Sequence, residues 1–139
     1  MVNLVLDASM TLAWYFEDEQ TPASLDVLRD VSRDGAIVPS LWRLEVVSGF
    51  QAALRRRRIT EAFRDASLTD LATLAISIDT ETDHHAWATT LHLSDRFSLT
   101  IYDAAYLELA RRLGLPLATG DAPLARAATN CGVPIRSLR

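Results

Sequence analysis

Residues 102–121 read Tyr-Asp-Ala-Ala-Tyr-Leu-Glu-Leu-Ala-Arg-Arg-Leu-Gly-Leu-Pro-Leu-Ala-Thr-Gly-Asp, and they set out a helix, a turn and a strand in order. Apolar residues recur at helical spacing over 101–113, and Gly114 with Pro116 ends the run. Glycine takes the left-handed turn that closes a helix, and proline cannot continue one. Residues 116–119 then form a short apolar run of the buried-strand type, with Asp121 just after it.

Working outward, the same alternation continues. Strand-like runs occur at 2–6, 36–38, 75–78 and 133–135. Helical spacing occupies 22–33, where Leu25, Leu28 and Val31 share a face and Pro22 stands near the start. It recurs over 41–57, 60–74, 82–95 and 121–130, the last closed by Gly132 and Pro134. Strands alternating with helices predict an α/β fold: a central, mainly parallel sheet flanked by helices on both faces. Such sheets gather ligands at the carboxyl ends of their strands, beside a topological switch point.

The chain of 139 residues suits a single domain, 1–139, without linker, repeat or low-complexity segment. No run approaches the roughly 18 apolar residues of a membrane helix. The N-terminus lacks a basic region and carries Asp7 within its apolar segment, so no signal peptide is expected. Cys131 is the only cysteine, which excludes an intrachain disulfide. A cytoplasmic protein without membrane contact is the expectation. A net charge of −4 argues against coating nucleic acid by bulk electrostatics, and all 14 basic residues are arginine.

Four acids stand in apolar surroundings: Asp7 after VNLVL, Glu45 in LWRLEVV, Asp103 in LTIYDAAYLELA and Asp121 after LPLATG. A carboxylate set against a core is costly unless neutralised. Oxygen-only ligands select hard cations such as Mg²⁺ or Mn²⁺ over zinc. If the four converge, they suit a metal-dependent hydrolase of phosphodiesters. Structural roles are open to three of them singly. Asp7 and Asp121 can be N-caps, and Asp103, three residues after Thr100, can belong to a capping box. Glu45 has no such role, since it falls on the inward side of its helix. Asp79 is the rival fifth member, although Asp79, Glu81 and Asp83 read as a solvated cluster opening a helix. Ser9 and Thr119 lie two residues from Asp7 and Asp121 and can hydrogen-bond ligands or bound water, or simply be a helix residue and a strand-end residue.

The sequences VLDAS, MTLAWYF, VPSLWRLEVVSGF, YDAAYLELARRLGLPLATGD and APLARAATNCGV together resemble a PIN domain. They are most similar to the VapC-type toxins of bacterial type II toxin–antitoxin modules. The resemblance spans essentially the whole chain, with all four acids in order and context. It implies a PIN-like fold in which Asp7, Glu45, Asp103 and Asp121 hold Mg²⁺ or Mn²⁺, with Ser9 and Thr119 beside them. It implies an endoribonuclease that hydrolyses RNA to a 5′-phosphate and a 3′-hydroxyl, a homodimer, and neutralisation by a small cognate antitoxin.

Arg55, Arg56, Arg57 and Arg58 end the helix that carries Glu45; they are favourable helix-end charge or an RNA phosphate contact beside the pocket. Trp14, Trp42 and Trp87 read as core or dimer packing. His84, His85 and His92 lack the spacing of a zinc site with Cys131. A phosphoacceptor receiver or a haloacid-dehalogenase-like phosphatase needs a second acid near Asp7 and a lysine, and the chain has neither. The remaining alternative is a non-catalytic PIN-like module that binds RNA or a partner.

Overall fold

Parallel pairing joins every strand of the sheet, whose order is β3-β2-β1-β4-β5. The computed structural model describes residues 2–139. Its strands are β1 (Val5–Leu6), β2 (Ala36–Val38), β3 (Ile76–Ile78), β4 (Leu117–Ala118) and β5 (Ile135–Arg136). The helices are α1 (Ala8–Ala13), α2 (Pro22–Asp34), α3 (Trp42–Arg55), α4 (Glu61–Leu71), α5 (Thr82–His85), α6 (Leu91–Phe97), α7 (Ile101–Leu113) and α8 (Ala122–Asn130). The expected α/β architecture is therefore present.

The first three strands step outward on one side of β1, and the fourth returns to its other side. The topological switch point thus lies between β1 and β4, whose backbones join through Val5 N–H to Pro116 C=O (2.9 Å) and Asp7 N–H to Ala118 C=O (2.9 Å). Asp7 and Asp121 follow these two strands, flanking that crevice. Consecutive strand residues point to opposite faces, and Val5 and Leu6 are both fully buried, as are Leu117 and Ala118. Both faces are covered, which is why the strands read as continuous apolar runs rather than alternating ones.

Two helices position the remaining acids. On α7, Ala104 through Ala110 are all buried. A helix apolar all round belongs inside, and α7 packs against both β1 and β4. Thr100 caps it by accepting from Asp103 N–H at 3.1 Å, and Gly114 closes it at φ +65°. Helix α3 buries Trp42, Val46, Phe50 and Ala53 and packs on α1. Gly49 permits the close approach, since a Cβ there would stand 2.3 Å from Leu12 Cδ1. Fully burying a side chain of the size of Phe50 contributes about 1.5–3 kcal/mol, and Phe50 adds edge-on contacts to Tyr15 and Phe16 at 5.8 Å.

The segment expected as one helix over 82–95 is three pieces, α5, a π-helical turn at Ala86–Thr90, and α6. Its inward residues are Thr82, Thr90 and Leu93, and Trp87 turns outward at 94% exposure. Trp14 and Trp42 are in the core, one of the two placements expected; Trp87 is outside it, and the other expected placement, a dimer surface, is a matter of a second copy. Among the described residues, no helix is long and apolar enough to cross a membrane.

Candidate active site

Asp7 occupies the N-cap position of α1, yet its side chain caps nothing. Two hydroxyls claim it instead. Ser9 Oγ donates to Asp7 Oδ2 at 2.6 Å and Thr119 Oγ1 donates to the same oxygen at 2.7 Å. The direction of both bonds follows from their other partners. Ser9 Oγ accepts from Gly120 N–H (2.9 Å), and Thr119 Oγ1 accepts from Asp121 N–H (3.0 Å), so each hydroxyl proton is left for the carboxylate. The other oxygen, Oδ1, carries no hydrogen bond and is not wholly enclosed. Asp7 is nevertheless 3% exposed. Burial pushes its pKa up to about 6; the two hydroxyls oppose this, while Asp103 and Glu45 add to it.

Glu45 lies in the first turn of α3, half-buried, and its Oε1 accepts from the Tyr106 hydroxyl at 2.7 Å. Burial raises its pKa, Tyr106 opposes, and Asp103 raises it further. Asp103 is likewise raised by burial and then by Asp121, with the Thr100 hydroxyl opposing. Asp121 caps α8, its Oδ2 accepting from Leu124 N–H at 2.9 Å. Of the three capping roles open to these acids, Asp121 fills its own with its side chain, Asp7 does not, and Asp103 contributes only its backbone N–H.

These influences link the four acids in a chain of mutual repulsion: Asp7 with Glu45 and Asp103, Glu45 with Asp103, and Asp103 with Asp121. Among the described residues no arginine or histidine forms an ion pair with any of them. The buried acids elsewhere are treated differently. Asp79 and Glu108 both bond Arg112, at 2.7 Å each, and Thr82 Oγ1 also donates to Asp79. Asp79 is thus neither a solvated residue, as the sequence suggested, nor a member of the acidic group.

The arginine run does not sit beside the acids. Ten residues of α3 separate Glu45 from Arg55, about 15 Å along the helix axis. Arg58 pairs with Asp18 at 2.8 Å and lies 4.8 Å over the Phe16 ring; Arg55, Arg56 and Arg57 are exposed. Open depressions flank the acids, one of about 370 Å³ holding Glu45 and Tyr102, another of about 520 Å³ holding Thr119 and Asp121. A larger one of about 690 Å³, lined by Tyr15, Phe16, Arg58 and Phe63, contains none of them.

As the side chains stand, no three acidic, histidine or cysteine groups among the described residues are close enough to enclose one ion. The donor set still suits a magnesium-like cation. Such an ion keeps several waters and is held by only one or two carboxylates, so it does not require an all-protein cage. Unneutralised carboxylates at a sheet's switch point are the feature that a cation answers.

Residues 4–130 match the family model described as PIN domain. No curated protein matches the chain in sequence. Among solved structures, the chain is similar to the crystal structure of PAE2754 from Pyrobaculum aerophilum. The identity is 22%, over 99% of this chain and 84% of that one, with a TM-score of 0.71. At that identity the likeness speaks for the fold alone.

Proposed function

Because the chain belongs to the PIN domain family, whose members are generally nucleases that use divalent metals, we propose that it is a Mg²⁺- or Mn²⁺-dependent endoribonuclease. The observation that carries this reading is the contrast in pairing: buried Asp79 and Glu108 share an arginine, whereas Asp7, Glu45, Asp103 and Asp121 repel one another without one.

Asp7, Glu45, Asp103 and Asp121 would hold the cation. When bound, a divalent ion supplies activation of water and neutralises charge on the phosphodiester. The chain's own residues prepare the place. Ser9 and Thr119 fix Asp7 through Oδ2, so that Oδ1 is free for a ligand. The backbone N–H groups of Gly120 and Asp121 fix those hydroxyls in turn. Asp121, tied down by its capping bond, holds the far side of the crevice. Ligand groups held by outer partners in this way lose affinity when the partner is removed.

The resemblance to VapC-type sequences supports a narrower reading, the toxin of a type II toxin–antitoxin pair, a homodimer held in check by a small antitoxin. Purified protein incubated with RNA tests the activity. Cleavage that needs Mg²⁺ or Mn²⁺ and stops with EDTA supports it. RNA binding without cleavage under either metal supports a non-catalytic module instead. Growth arrest on expression, relieved by a neighbouring small open reading frame, tests the toxin role.

A further inference from the structure

Tyr106 is fully buried, and neither its size nor its core position requires a hydroxyl. Through that hydroxyl two acid-bearing helices, α7 and α3, are joined. It donates to Glu45 Oε1 on α3 at 2.7 Å. Tyr106 itself stands one turn after Asp103 on α7, on the same helix face. An apolar residue would fill the volume, and a buried hydroxyl is costly unless used. Here it is used on a carboxylate that no cation neutralises in the protein itself.

We propose that Tyr106 is a positioning residue for the cation pocket: its hydroxyl holds Glu45 in reach of Asp7 and Asp103. This rests on the reading of the four carboxylates as a metal site. Glu45 is the only one of the four on α3, and no backbone group bonds its side chain among the described residues. The other fixed acids have partners of their own, Ser9 and Thr119 for Asp7 and Leu124 N–H for Asp121. Without the phenol, Glu45 is free to swing toward the open depression it lines with Leu44, Ser48 and Tyr102.

Titration calorimetry of Mn²⁺ into the metal-free protein tests this apart from activity. Tyr106→Phe should weaken binding about tenfold, the usual cost of losing an outer partner of a ligand. In a Glu45→Ala background the same substitution should change affinity less than about twofold, because there is no Glu45 left to hold. At saturating Mn²⁺, RNA cleavage by Tyr106→Phe should recover, which a general packing defect would not allow. Unchanged Mn²⁺ affinity in Tyr106→Phe, or an equal loss in both backgrounds, overturns the proposal. A wild type with no Mn²⁺ affinity removes the cation pocket itself and the proposal with it. If Tyr106→Phe folds poorly, tyrosine ring NMR on the wild type decides: Tyr106 should shift saturably with Mg²⁺ while Tyr15, bonded to Asp70, does not. A Tyr106 signal that ignores Mg²⁺ while the metal binds also overturns it.

Discussion

Replacing Asp7 by asparagine should stabilise the metal-free protein, and only above the pH at which Asp7 ionises. Both hydroxyl bonds fall on Oδ2, so the carbonyl oxygen of an asparagine can accept them unchanged and the amide nitrogen takes the free position. What is lost is the charge. The folded state raises Asp7 from 3.8 to about 6. Between those values the folded protein binds more protons than the unfolded chain, so wild-type stability falls as pH rises through the window. Two units correspond to about 3 kcal/mol, an upper figure for the relief in the variant above pH 6. For a domain of this size that is up to about 10 °C in Tm. The assay is thermal unfolding of both proteins in EDTA at about pH 4 and about pH 8, read by circular dichroism. Near-equal Tm at the lower pH and a higher Tm for Asp7→Asn at the upper pH is the expected outcome. A gap that is the same at both pH values, or a wild type more stable at the higher one, refutes the claim that burial of charge dominates at this position.

Arg112→Met should cost about 3–5 kcal/mol in urea unfolding, because it leaves Glu108 and Asp79 buried without their counter-charge. A loss under about 1 kcal/mol would place the trio with ordinary surface pairs. Thr119→Val keeps the shape, removes one of the hydroxyls that oppose the rise at Asp7, and should move that carboxyl above about 6, measured by carboxyl-carbon NMR titration; an unmoved titration would mean that Ser9 alone sets it.

Nearly every element is legible from period and punctuation, because each is marked by a local cause. Gly114 and Pro116 end α7 through backbone geometry alone, and Thr21 and Thr60 open α2 and α4 by capping bonds to residues three ahead. Ends set by packing were less legible: α4 stops at Leu71 rather than Leu74, and the π-helical turn at Ala86–Thr90 interrupts one expected helix. For the acids, sequence placed Asp7 and Asp121 at strand ends, and the switch point between β1 and β4 followed only from the strand order. Asp121 keeps its local cap, whereas the partners of the Asp7 and Glu45 side chains include residues far away in sequence. Thr119 is 112 positions from Asp7, and Tyr106 is 61 from Glu45. Arg112, which removes Asp79 from the acidic group, is 33 positions away. A lone sequence carries no mark of such partners. Arg58 shows the same limit, since its pairing with Asp18 spans 40 positions and nothing local to the arginine run marks it.

The buried span of α7 from Ala104 to Ala110 has a consequence for how the pocket behaves in time. Burial of seven successive residues should put its amides among the slowest to exchange with deuterium. Asp103 therefore stands at the mouth of a slow-exchanging element. Glu45 lies in the first turn of a helix whose neighbouring Arg43 and Leu44 face water. One wall of the crevice is set as firmly as the fold itself, and the other is held by a phenol. A ligand that reshapes this crevice is therefore expected to do so from the α3 side.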